Sequence, residues 1–260
     1  MAFLFDGVND VVQNTTANGV AGIDTAASRL VTWVMFVKST NAPTGHERCI
    51  YFADTNDLAT LTMVGALGIQ APVTAGFRPT LAVSYSANAY NLIGNADVSS
   101  GAWHHLAVTA NLRDVVDGGP DVLMYVDGVS VAFTVESNPG AGETLKTGWD
   151  NASLGAAFTA AFLDGNMAEP AFWLGTRLTA AQILSLSKGF SPLCLNPLPT
   201  RYWDFINGAR ERMGGLAMTV SGATVAAHSQ PVYYPTGPKI GIHRDRRLTA
   251  GDAILVSNVL

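Results

Sequence analysis

Charge is the scarcest property of this chain. Only 13% of its 260 residues are Asp, Glu, Lys or Arg, about half the ~25% usual for a soluble domain, which argues against disorder and against a coiled coil. Positive charge is scarcer still. Fifteen Lys and Arg against twenty Asp and Glu leave a net charge of −5, no footprint for gripping phosphates, so general nucleic-acid binding is not expected. Cysteine is almost absent: Cys49 and Cys194 stand far apart without CxxC spacing, and read as free buried thiols rather than a disulfide or zinc site. Long apolar runs are missing too. The opening MAFLFDGVND carries Asp6 early and no basic stretch, so neither a signal peptide nor a membrane span is expected, and a reducing cytoplasm is the expected place of synthesis.

The sequence also lacks the short signatures of the common enzymes: G-x-S-x-G, a Walker loop, H-E-x-x-H and the dinucleotide fingerprint. Ser185-Leu-Ser-Lys188 formally matches S-x-x-K but lacks that class's companion motifs, and reads as a solvated helix end. No catalytic residue is assigned, and the protein is expected to be non-enzymatic.

What is present is apolar and small: 48% hydrophobic residues with 26 Gly and 12 Pro. A chain of this length can bury roughly 70–75% of its unfolded surface, enough for one core without staples. Strand signals recur at Phe3–Phe5, Leu30–Val37, Cys49–Phe52, Leu61–Val64, Thr80–Tyr85, Trp103–Thr109, Ala168–Leu174 and Met218–Val220, separated by Gly, Asn, Asp and Pro. Two further runs, 122–126 and 129–135, flank Asp127-Gly128, whose tolerance of positive φ predicts a two-residue hairpin turn. One helix has proper ends: Thr179 and Gln182 form a capping box and Gly189 is the stop. The expected fold is all-β, a two-sheet antiparallel sandwich with one short helix.

These motifs carry a resemblance. FDGVNDVV, then Trp33 in LVTWVMFVK, Trp103-His104-His105-Leu106-Ala107-Val108, the YVDG hairpin at 125–128, Leu154-Gly155-Ala156 and Phe162 to Glu169 occur in one order. Over residues 1–190 this set resembles the laminin-G-like, concanavalin A-like jelly roll family. The resemblance implies two packed antiparallel sheets. Family members often place a YWxF…TVSGA segment ahead of the FDG strand, whereas here Tyr202–Phe205 and Thr219–Ala223 follow the domain. Such permutation is tolerated when chain ends lie close together, so residues 198–232 are expected to close a domain spanning 1–232, with Tyr202–Phe205 as a strand near Phe3–Phe5. The permuted order resembles jelly-roll proteins encoded near bacteriophage structural genes. That implies a virion head or tail decoration protein, assembled in the host cytoplasm, with other virion proteins or copies of itself as partners.

The same family sets three site expectations. Its glucanase branch needs carboxylates at alternate positions of one strand, and the five Glu residues, 47, 136, 143, 169 and 211, are scattered. Members with calcium use rim carboxylates, for which Asp6, Asp10, Asp127 and Asp164 are the candidates. Asp127 and Asp164 each precede Gly and read first as turn formers, leaving calcium a lesser possibility and no other cofactor or metal expected. His104 and His105, adjacent on a strand, point to opposite faces and do not share an ion. Glycans are possible ligands, with Tyr85, Tyr90 and Trp149 as ring-stacking candidates on exposed loops.

Residues 233–260 read as a C-terminal arm. It carries the basic cluster Arg244, Arg246 and Arg247 among the apolar residues Ile240, Ile242, Leu248, Ile254, Leu255 and Val256. Ordering it costs about 1–2 kcal/mol per residue, which only burial against another molecule would offset at about 25 cal/mol/Å². The arm is therefore expected to carry assembly, and a sugar-binding module is the alternative function.

Overall fold

A computed structural model provides the structure. It describes residues 1–14, 28–40, 46–53, 63–70, 77–98, 101–147, 151–157, 160–206, 208–216, 218–228 and 232–234. The period-two alternation is realised as strands β1 (Ala2–Asp6), β2 (Val11–Gln13), β3 (Leu30–Ser39), β4 (His46–Ala53), β5 (Met63–Gln70), β6 (Arg78–Ser84), β7 (Ala89–Gly94) and β8 (His104–Asn111). There follow β9 (Asp121–Val126), β10 (Val129–Val131), β11 (Phe133–Ser137), β12 (Asn151–Leu154), β13 (Asp164–Leu174), helix α1 (Ala180–Ser187), β14 (Arg201–Tyr202), β15 (Thr219–Ser221) and β16 (Thr224–Ala226).

The strands form two eight-stranded sheets. The first runs β10-β9-β8-β3-β13-β1-β16, with β14 also on β13; the second runs β11-β7-β6-β5-β4-β12-β2-β15. Every named pairing is antiparallel. The facing sides of the two sheets supply the main core, including Phe5, Trp33, Phe52, Leu67, Leu81, Phe172, Trp203 and Phe205. This is the expected jelly-roll sandwich. At Gly155 a Cβ would sit 2.1 Å from the Phe5 ring, and φ is +80°, so the core at this corner closes only around a residue with no side chain.

Asp127 (φ 52°) and Gly128 (φ 83°) both adopt the left-handed turn conformation predicted for the hairpin. Its second arm differs from expectation. The run 129–135 divides at Ala132: β10 pairs with β9 in the first sheet, and β11 pairs with β7 in the second. One apolar alternation thus serves two sheets, because the chain crosses an edge where periodicity has no reason to change. The fourth expected strand begins at Met63 and runs on to Gln70.

Helix α1 has both bonds of its capping box, Gln182 N to Thr179 Oγ1 and Thr179 N to Gln182 Oε1. It covers the outer side of the first sheet, where Ile183 and Leu186 join Val34, Ala107, Tyr125, Trp173 and Tyr202 in a second cluster.

Residues 198–228 tie into both sheets. β16 pairs with β1, Ala2 opposite Ala226, and β15 pairs with β2. The strand beside Phe3 is thus Thr224–Ala226, not Tyr202–Phe205; Tyr202 pairs with β13, and the Phe205 ring lies 4.6 Å from that of Phe3. Cys49 is buried, whereas Cys194 is exposed and its thiol donates to the Tyr233 carbonyl (3.2 Å). The expectation of two buried thiols fails at Cys194, which lies on the short turn after Pro192 rather than in a strand.

Candidate functional site

The outer side of the second sheet carries an unusual floor. On β5 the inward residues Leu67 and Ile69 are core, so Ala66, Gly68 and Gln70 face out; on β6, Leu81 and Val83 face in and Arg78, Thr80 and Ala82 face out. Register fixes the neighbours: Gln70 is opposite Arg78, and Gly68 lies between Arg48 on β4 and Thr80 on β6. Ala66 lies between Tyr51 on β4 and Ala82 on β6, with Asn91 of β7 opposite Ala82. Gly68 is obligatory here, since the irregular register of β4 brings the Glu47 carbonyl to 2.1 Å from where a Cβ would stand. The Glu47 carbonyl oxygen thus takes the place a side chain would fill at Gly68, and Ala66, Thr80 and Ala82 around it are buried.

Among the described residues, four polar atoms of this face are buried without a hydrogen-bond partner: Gln70 Oε1, Arg78 Nε, Thr80 Oγ1 and Asn91 Oδ1. Thr80 is 2% exposed. They are contiguous: Gln70 and Arg78 are a direct cross-strand pair, Thr80 is the next outward residue on β6, and Asn91 is diagonal to Thr80. A rise of about 3.4 Å per residue and strand spacings of about 4.8 Å spread the four along a row roughly 15–17 Å long. Each such atom costs about 1–3 kcal/mol if left unpaired. The set comprises two amide acceptors, one guanidinium donor and one hydroxyl that does both, which is complementary to a ligand rich in hydroxyl groups.

Arg48 lies on this face as well, and burial pulls its guanidinium below its ordinary range. His46, in register with Gln70, is likewise lowered by burial and then by the charge of Arg48, while Glu136 opposes both shifts.

A second polar cluster lies outside the first sheet. Glu169, 2% exposed with φ 53°, accepts hydrogen bonds from the hydroxyls of Tyr202 and Tyr234 (3.2 Å for the latter). Burial raises its carboxyl to about 7. His105 Nδ1 is unpaired nearby, and burial lowers that imidazole to about 4. The space between His105, Glu169, Phe190, Pro192 and Val232 measures only about 10 Å³, so a sugar does not fit and the cluster is sealed inside the fold. A wider hollow of about 560 Å³ is lined by residues 210–215. There the Glu211 carboxylate accepts from the Tyr202, Met213 and Gly214 amides, and Arg212 bonds Asp204, so its polar groups are consumed in holding the loop.

The sequence-derived candidates fall elsewhere. Tyr85 is 1% exposed and donates its hydroxyl to the Arg113 carbonyl (2.9 Å). It is a core residue, not a loop aromatic, and has no ring face free for stacking. Tyr90 is also in the core cluster at 7% exposure, reaching only the wall of a hollow of about 360 Å³ beside Gly118, Gly119 and Pro139. Trp149 and the arm residues Ile240, Ile242, Arg244, Arg246, Arg247, Leu248, Ile254, Leu255 and Val256 lie outside the described residues. Asp127 accepts from the His105 amide and from His104 Nδ1, both at 2.8 Å. Burial raises its carboxyl, but these bonds outweigh it and the net shift is downward. Asp6 accepts from the amides of Val8 and Asn9, and Asp10 from that of Asp6. Among the described residues no three His, Cys, Asp or Glu side chains converge as a metal site would need.

Residues 9–184 match the family model described as the concanavalin A-like lectin/glucanases superfamily. The chain belongs to this superfamily. Among solved structures, a heptameric SAP-like pentraxin from Limulus polyphemus is similar, with a TM-score of 0.55 and 13% identity over 86% of this chain and 93% of that one. The CBM40 of a Ruminococcus gnavus IT-sialidase, solved with α2,3-sialyllactose, has a TM-score of 0.45 and 15% identity over 72% and 98%. Domains LG4-5 of the mouse laminin α1 chain have 0.43 and 12% over 68% and 44%. No curated protein sequence matches the chain. Within the superfamily fold, the outer face of β5, β6 and β7 carries four of the buried unpaired polar atoms found among the described residues.

None of the four unpaired residues was singled out from the sequence. The signal was present: Arg78-Pro-Thr80-Leu-Ala-Val alternates polar or small residues with apolar ones, which marks an outward face but not what that face lacks.

Proposed function

We propose that the protein is a non-catalytic carbohydrate-binding module that holds a saccharide on the outer face of its second sheet. The supporting observation is the contiguous set of unpaired atoms at Gln70, Arg78, Thr80 and Asn91. A sugar hydroxyl donates one hydrogen bond and accepts others, so an oligosaccharide lying along this row can satisfy the amide oxygens and the guanidinium N–H. The superfamily's lectin members give this reading its precedent, and it replaces ring stacking by Tyr85 and Tyr90, whose rings are buried.

The test separates binding from folding. Unpaired buried groups are a stability cost, so Thr80→Val is expected to raise the melting temperature by a few degrees while weakening glycan-array binding at least tenfold. A Thr80→Val variant that binds glycans as wild type does overturns the assignment of this face.

The assembly reading, a virion decoration protein using the arm of residues 233–260, is the second. One structural observation favours it: the root of the arm is pinned, with Tyr233 N bonding the Gly189 carbonyl, Ser191 N bonding the Tyr233 carbonyl, and the Phe190 and Tyr233 rings 5.6 Å apart on the surface. None of the relatives named above is a virion protein.

A further inference from the structure

The sealed cluster outside the first sheet joins the body of the protein to the root of the C-terminal arm. Glu169 stands in the bulge of β13 between Ala168 and Ala171, and its carboxyl meets two tyrosine hydroxyls that belong to different segments. Tyr202 is fixed: it is fully buried, pairs with Ala171 through β14, and its amide donates to the Glu211 carboxylate (3.0 Å). Tyr234 is only half-buried and lies at the end of residues 232–234. This root is held by the Tyr233 amide on the Gly189 carbonyl (2.7 Å), the Ser191 amide on the Tyr233 carbonyl (2.9 Å), the Cys194 thiol on that same carbonyl (3.2 Å), and the Tyr234 hydroxyl on Glu169 (3.2 Å).

The groups around the carboxyl do not balance a negative charge there. His105 lines the same space of about 10 Å³, and burial keeps that imidazole at about 4, so it is neutral from pH 6 upward. The hydroxyls of Tyr202 and Tyr234 are pushed up by burial and stay neutral as well. Asp204, which sits against Arg212 (3.0 Å), adds a like charge; the amino terminus of the chain acts in the other direction, and burial outweighs it. The rest of the lining is Val34, Phe36, Leu186, Phe190, Pro192 and Val232, all apolar. A neutral carboxyl serves both hydroxyls, since it keeps one O–H donor and one carbonyl acceptor. An ionised one needs water, and water enters past whichever segment yields. That segment is the root, because Tyr202 is locked into β14 while Phe190 and Tyr233 are already 47% and 54% exposed.

We propose that Glu169 is a pH-dependent latch on the root of the C-terminal arm: protonated, it closes on Tyr202 and Tyr234; ionised, it lets residues 232–234 lift from the body and admit water. The latch is independent of the glycan site. A carboxyl raised in the latched form favours that form fully below its ordinary value and loses the advantage as pH climbs through the raised one. With about 7 for the latched group and its ordinary 4.5 once hydrated, the ratio of open to latched protein rises about tenfold from pH 6 to pH 8 and levels off beyond.

The experiment follows amide hydrogen exchange of the full chain from pH 5 to pH 9, corrected for the intrinsic effect of pH, with the Ser191 and Tyr233 amides as reporters. The reporters are expected to exchange faster than the amides of β3 and β8, and to lose protection about tenfold between pH 6 and pH 8 with a plateau above. Glu169→Gln keeps a donor and an acceptor for the two hydroxyls without the charge, and its reporters should be protected equally across the range. Tyr234→Phe, at a half-buried position, should lower reporter protection several-fold at pH 6. Reporters that exchange no faster than β3 and β8, that show no pH effect in the wild-type chain, or that keep the wild-type effect in Glu169→Gln overturn the latch. Should Glu169→Gln not fold, the other two readouts decide: a loss of protection that continues past pH 8 without levelling, or wild-type protection in Tyr234→Phe, overturns it equally.

Discussion

Glu47 shows how a single side chain couples the sandwich to pH. It lies opposite Ile69 at one end of the core, 7% exposed, with Oε2 unpaired. Burial raises its carboxyl from 4.5 to about 8, a hydrogen bond from the Asp164 amide opposes that, and the Asp164 charge adds to it. A carboxyl raised on folding contributes stability that is complete below the unfolded value and lost as pH climbs through the folded one. The protein is therefore expected to lose stability between about pH 4.5 and pH 8 through this group. Glu47→Gln should leave the melting temperature nearly unchanged at pH 4.5 and raise it by several degrees at pH 8.5. An equal effect at both values would show that Glu47 is ionised in the folded protein. The Thr80 hydroxyl belongs to the same class of buried, incompletely paired groups. Neither was legible from composition, because burial of a polar atom depends on which strands flank it.

At the scale of elements, local chemistry was readable and sheet membership was not. The α1 cap is local, and Thr179→Ala is expected to cost about 1 kcal/mol, seen as a fall of a few degrees in thermal unfolding with little change in glycan binding. The Asp127-Gly128 turn is local too, and both residues have the backbone angles the turn requires. By contrast β7, whose Asn91 completes the site, was missed. Its run Ala89-Tyr-Asn-Leu-Ile-Gly94 is short and mixes polar with apolar residues, so periodicity gave it little weight. β11 was read as the tail of β10 because a crossing between sheets leaves the alternation unbroken. The face that carries the candidate site is assembled from β4, β5, β6 and β7, so its composition became visible only once register had put Gly68 between Arg48 and Thr80.

At the scale of the whole molecule, the segment after α1 closes what the first strands begin. Trp203 and Phe205 are fully buried in the main core, and β15 and β16 extend both sheets. A chain ending at residue 197 loses these and is expected not to fold cooperatively, whereas one ending at Tyr234 should keep the full melting temperature. Mass in solution of the full chain and of the chain ending at 234 tests the assembly of the protein with copies of itself, which requires the full chain to contain more subunits than the shorter form. If the 197 form melts like the full chain, residues 198–228 do not close the domain.

The pairing of Ala2 with Ala226 has a topological consequence. Antiparallel partners sit about 5 Å apart, so the polypeptide leaves the sandwich beside the point where it entered, and the body is in effect a loop with a single nick. Joining the two ends and opening the chain at another surface loop is therefore expected to leave the pairing of both sheets intact.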